Sequence, residues 1–124
     1  MSETKPMIFK LNFNFNLKDA EGFPIESLKA GIKAGSYVTP ESYENVTANR
    51  LLGRTISMSN DDLGGVAFDW YPYLLQGKVL EVSKAEAGTL KNFIKEQHKS
   101  KNQSFSNVVV AQLLNVFDKA GYKE

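Results

Sequence analysis

The chain has 124 residues, 42% of them hydrophobic and 23% charged, which suits one domain able to bury roughly two thirds of its unfolded surface. Lys and Arg number 15 against 14 Asp and Glu, so no whole-molecule field draws it to duplex nucleic acid or to an anionic membrane. There is no Cys and a single His, His98, which excludes disulfides, thiolate metal sites and imidazole clusters and leaves carboxylates alone to hold a hard cation.

Residues 1–6 are polar and are expected to form a flexible tail. They lack the apolar segment of a signal peptide, and no run approaches the ~18 apolar residues of a membrane span. The expected setting is the cytosol. Phe9, Leu11, Phe13, Phe15 and Leu17 then alternate with Lys10, Asn12, Asn14, Asn16 and Lys18. Period two puts the five apolar side chains on one face of a strand and the amides and ammoniums on the other. Asp19-Ala20-Glu21-Gly22 supplies a turn. Phe23-Pro24-Ile25 starts a short return strand, held to an edge by the missing amide of Pro24.

Residues 26–38 carry no clear period, since Gly31 and Gly35 weaken the helical spacing of Ile25, Leu28 and Ile32. Thr39-Pro40-Glu41 is a helix start, with a hydroxyl cap, a first-turn Pro and an acid beside the positive end. Tyr43, Val46, Arg50 and Leu51 continue it, and Gly53 is the expected stop. Arg54-Thr55-Ile56-Ser57-Met58 is short and β-branched and predicts a strand. Ser59, Asn60, Asp61 and Asp62 are cap-forming residues before a helix with Leu63, Val66, Ala67, Trp70 and Leu74 on one face. Pro72 should kink or break that helix, and Gly77 ends it.

Val79–Val82 predicts a brief extended link. Ser83-Lys84-Ala85-Glu86 is a capping box for a helix burying Ala87, Leu90, Phe93, Ile94 and Gln97. Lys99–Gln103 is a polar loop. Ser104 or Ser106 caps a last helix with a stripe of Val109, Leu113, Val116, Phe117 and Ala120, stopped at Gly121. The sum is an α+β fold: an N-terminal antiparallel β-hairpin or small sheet packed against about four helices, in a single domain over residues 1–124.

Few residues suit catalysis. His98 sits among Lys95, Lys99 and Lys101, where neighbouring positive charge disfavours the imidazolium that a general base must become; a solvated His is the simpler reading. Gly64-Gly65 lacks the spacing and the Lys of a phosphate loop. Asp61, Asp62 and Asp69 could hold a cation, but the first two lie where a helix start favours negative charge. Two features suit binding better. Phe68, Trp70, Tyr71 and Tyr73 put four rings in six residues, which cannot all face one side of a helix, so at least one is expected to be exposed or at a subunit contact. Lys84, Lys91, Lys95 and Lys99 share one helix face, and Arg50 and Arg54 flank Gly53, with guanidinium groups suited to bidentate phosphate contact.

The segment order Thr55-Ile56-Ser57-Met58, Trp70-Tyr71-Pro72-Tyr73-Leu74-Leu75-Gln76-Gly77, Leu80-Glu81-Val82-Ser83-Lys84-Ala85-Glu86, Leu90-Lys91-Asn92-Phe93-Ile94 and Val109-Val110-Ala111-Gln112-Leu113-Leu114 resembles a group of small hypothetical accessory proteins of tailed and temperate bacteriophages, including phages and prophages of Bacteroidetes. Leu17-Lys18-Asp19-Ala20-Glu21-Gly22 fits as well, and residues 26–53 stand as an insertion. The resemblance implies a short accessory gene expressed in the host bacterial cytoplasm. It carries over no residue role.

A protein of this kind with no evident catalytic group or cofactor is expected to bind. The expectation is a non-enzymatic accessory protein that blocks or sequesters a host component, such as a nucleotide immune signal or a host defence protein. Trp70, Tyr71 and Tyr73 would stack on a base, while Arg50, Arg54, Lys91, Lys95 and Lys99 would meet anionic groups, in a pocket at a homo-oligomer interface. The alternative is a structural or assembly protein, a homo-oligomer or virion component joined through the Asn face of the first strand.

Overall fold

The alternating N-terminal segment decides where the chain turns inward. The structure, a computed structural model, describes residues 8–29, 37–99 and 105–123; the expected tail, residues 30–36 and the loop at 100–103 lie outside them. Strand β1 (Ile8–Leu11) pairs antiparallel with β4 (Leu80–Ser83), Phe9 opposite Val82 and Leu11 opposite Leu80. These four side chains are buried, and Lys10 faces Glu81 across the outer side, an opposite-charge pairing that favours this register. The segment expected to be only a link is therefore the partner of the first strand.

The alternation outlasts the strand. Phe13 and Leu17 are buried and Phe15 packs partly against the core, yet the backbone leaves the ladder after Leu11. The reason is competition for its carbonyls. Phe15 O accepts the Ala48 amide at 2.9 Å and Phe13 O the Asn49 amide at 2.8 Å, so this stretch caps the first helix, whose leading amides have no partner within the helix. The expected turn follows: the Asp19 carboxylate accepts the amides of Glu21 and Phe23, and Lys18 bridges Pro24.

Beyond the turn, β2 (Glu26–Leu28) pairs antiparallel with β3 (Tyr43–Asn45). Three segments meet in a closed ring of backbone bonds: Leu17 N to Val46 O, Val46 N to Ile25 O, and Ile25 N to Leu17 O, each 2.7–2.9 Å. The residues the resemblance sets apart, 26–53, are thus tied to the hairpin, and Ala48 and Leu52 within them belong to the core. The helix start at Thr39-Pro40 gives a single 3-10 turn, Pro40–Ser42. Pairing with β2 then overrides helical spacing, beginning with Lys29 N to Ser42 O.

Helix α1 (Ala48–Met58) begins later than expected and runs straight through Gly53 and the predicted strand. Two contacts explain this. Ile56 is buried on the same face as Leu52, and Thr55 returns its hydroxyl to Leu51 O at 2.8 Å, so the β-branched residues are held in helical form. Gly53 is a close-approach residue: a Cβ there would stand 3.1 Å from Leu74 Cβ and 3.2 Å from Leu75 Cγ. Gly53→Val is accordingly expected to force α1 away from the next helix and to cost about 1–3 kcal/mol, read as a lower urea midpoint at unchanged slope.

Asp62 caps a single 3-10 turn, Leu63–Gly65, by accepting the Gly64 amide at 3.1 Å, and Asp61 accepts the Leu63 amide at 2.9 Å; the helix that follows Val66 has no side-chain cap. Leu63 takes a left-handed φ of 52°, which buries its side chain at the mouth of α2 (Ala67–Leu75). Pro72 lies within α2 and does not end it; burial of Trp70 and Leu74 beside α1 offsets the lost amide bond and its crowding, about 3 kcal/mol. Asn49, the one buried polar side chain among the described residues, donates to Leu74 O at 2.8 Å and pins α1 to α2. The capping box forms in both directions, Ser83 N to Glu86 Oε1 at 2.8 Å and Glu86 N to Ser83 Oγ at 3.2 Å, and opens α3 (Lys84–Lys99). Helix α4 (Asn107–Lys119) closes the core with Val109, Leu113, Val116 and Phe117. The fold is α+β, with a hairpin and two small antiparallel sheets against four helices.

Candidate functional site

Arg50 and Arg54 stand one turn apart on α1, and the β2–β3 pair lies across from them. Between the two is a pocket of about 150 Å³, walled by Ser27, Glu44 and Asn45 on one side and Thr47, Arg50 and Arg54 on the other. Arg50 Nη1 is 3.4 Å from Glu44 Oε2, with both side chains well exposed (47% and 32%). Such a pair contributes about 0–1 kcal/mol and serves mainly to orient the guanidinium. Arg54 makes no ion pair among the described residues.

Thr47 precedes α1, where a hydroxyl normally caps. Here the Ala48 and Asn49 amides are already taken by the carbonyls of residues 13–15, and the Thr47 hydroxyl makes no capping bond. Its Oγ1 is buried with no hydrogen-bond partner. A buried unpartnered hydroxyl costs about 1–3 kcal/mol. The Arg50 and Arg54 guanidiniums with the Asn45 and Ser27 side chains around one cavity make this a place for a small anion.

The other expected site residues lie elsewhere. Trp70 is 4% exposed and belongs to the core, so it has no free face on which a base could stack; helical spacing from Ala67 to Leu74 turns it inward. Tyr71 is half-buried and lines a small pocket of about 80 Å³ with Phe68, Asp61 and Asp62. Tyr73 is 48% exposed, with Lys78 Nζ 5.0 Å from its ring centre, a cation–π contact. Phe68 is 68% exposed, so the expectation that not all four rings could be buried is met by Phe68 and Tyr73. None of these rings lines the arginine pocket.

The lysines of α3 form another group. Lys91 lies 5.5 Å from the Tyr122 ring centre; Lys91 and Lys95 are half-buried and engaged with neighbours. The side chains of His98 and Lys99 lie outside the described residues. Neither Lys91 nor Lys95 lines the arginine pocket. Of the eight expected residues, the seven whose side chains are described therefore do not converge, and Arg50 and Arg54 are the two that share a described cavity.

A groove between the hairpin and α4 has no counterpart among those expectations. It measures about 270 Å³ and contains Lys18 and Lys119, which are far apart in sequence; no spacing rule pairs them. Among the described residues no three His, Asp or Glu side chains gather as a metal site would require, and no helix is long and apolar enough to cross a membrane. No protein-family model matches the chain, and neither a curated protein nor a solved structure does.

Proposed function

We propose that this chain is a non-enzymatic accessory protein of phage type that binds and sequesters a small phosphorylated ligand of the nucleotide class, with the arginine pocket as the phosphate contact. The observation that carries the reading is the arrangement at the start of α1: Arg50 and Arg54 beside Thr47, Asn45 and Ser27 around one cavity. A pocket of this size holds a phosphoryl group and leaves the rest of the ligand outside it. In a bacterial host such binding would withdraw a nucleotide signal from its receptor.

The test is a nucleotide panel scored by melting temperature, since a ligand that binds only the folded chain raises it. A retained nucleotide is expected to lose about tenfold in affinity in Arg54→Ala, as for one charge-assisted hydrogen bond, and to bind more weakly in high salt. Tyr73→Ala should leave it unchanged. A panel in which nothing raises the melting temperature would overturn the reading.

A second reading, a homo-oligomer or assembly component, draws support from Met58 and Phe68, which are large, apolar and exposed. Light scattering on the eluting protein decides it: an assembly that Phe68→Asp dissociates favours this reading, and a strict monomer removes it.

A further inference from the structure

The groove between the hairpin and α4 differs in charge from the other pockets described above. Glu44 lines the arginine pocket and Asp61 and Asp62 the one beside Tyr71; among the described residues no carboxylate lines this groove. Lys18 and Asn16 project from the hairpin, Asn115 and Lys119 from the last turns of α4, and Phe15 and Val116 form an apolar floor. At about 270 Å³ it falls just below the roughly 300–1,000 Å³ of small-molecule sites.

Gln112 sets its width. The Gln112 Oε1 accepts the Lys18 amide at 2.8 Å, and Nε2 donates to Lys18 O at 2.7 Å and to Val108 O at 2.9 Å. Both amide protons are spent on the backbone, so Gln112 is scaffold and joins the two walls. The groups facing the groove are different. Among the described residues, the side chains of Asn16, Asn115, Lys18 and Lys119 make no hydrogen bond or ion pair. Two ammoniums and two open carboxamides thus surround an apolar floor, with the spacing between the walls fixed by a backbone-anchored glutamine.

We propose that this groove is a binding site for a phosphate monoester, separate from the arginine pocket. The two ammoniums supply point charges for a dianion. The Asn16 and Asn115 carboxamides each offer a donor and an acceptor, which suits the hydroxyls or the heterocycle edge of the body the phosphate is attached to. Phe15 and Val116 cover its apolar side.

The experiment is a titration of the full chain, followed by amide 1H–15N spectra, with adenosine monophosphate, inorganic phosphate and adenosine as probes. Adenosine monophosphate is expected to move the signals of Asn16, Lys18, Asn115 and Lys119 saturably. Inorganic phosphate should do so more weakly, and adenosine should not. The exposed double change Lys18→Met with Lys119→Met is expected to weaken adenosine monophosphate by at least about tenfold. Shifts confined to Arg50, Arg54 and their neighbours would support the arginine pocket alone and overturn this site. An undiminished affinity in the double variant, or an equal response to adenosine, would overturn it as well.

Discussion

Trp70→Ala is expected to lower the unfolding free energy by about 3–5 kcal/mol. The indole is 4% exposed in the core cluster with Leu74 and Ala67, and it is the largest buried side chain of a nine-residue helix that carries Pro72 inside. Truncation would leave a large cavity against α1. Urea unfolding measures it, with the slope as a check that the transition is still two-state. Tyr73→Ala, three residues on at an exposed position, should stay within about 1 kcal/mol of the parent. If Trp70→Ala instead left the midpoint in place and removed ligand binding, the ring would be a contact residue and its packing role would be wrong.

Phe117→Ala carries a comparable cost, about 3–5 kcal/mol, for a different reason. Phe117 is fully buried and meets Phe13 edge-on at 6.3 Å and Tyr122 at 5.8 Å; Tyr122 in turn meets Phe9 at 5.5 Å. Edge-to-face pairs contribute about 0.5–1.5 kcal/mol beyond the area they bury. This run of rings fastens the N-terminal segment to α4 and to the residues after it. Phe117→Leu, which keeps most of the volume, should cost less than half as much. A loss below about 1 kcal/mol in the alanine variant would show that the core repacks around the gap.

What the amino-acid order disclosed follows from the range of the forces involved. The capping box at Ser83 and Glu86, the faces of α3 and α4 and the Asp19 turn rest on contacts within a few residues, and the structure has them as expected. The N-terminal alternation correctly marked Phe9, Leu11, Phe13 and Leu17 as buried. It did not reveal that β1 would pair with β4, because a strand's face is local and its partner is not. Gly53 reads as a stop only in isolation; the nearness of Leu74 and Leu75 makes it a contact surface. The same shift moved Arg50 and Arg54 from either side of a turn to one face of a continuous helix. Trp70 was grouped with its neighbouring rings by sequence, while helical phase separates it from Tyr73 and Phe68. Lys18 and Gln112, 94 positions apart, met no local rule at all.

The pairing of β1 with β4 also has a consequence for how the chain is made. Synthesis proceeds at about 5–20 residues per second, so Phe9 and Leu11 emerge seconds before Leu80 and Val82 exist. During that interval the first strand is an unpaired apolar edge, the kind of segment that joins a neighbouring nascent chain. Lys10, Asn12, Asn14, Asn16 and Lys18 occupy every second position through this stretch. They dilute its hydrophobicity and add charge where a partner strand would first approach. The polar side of the alternation thus has a duty before folding is complete: it guards the strand until its own partner arrives.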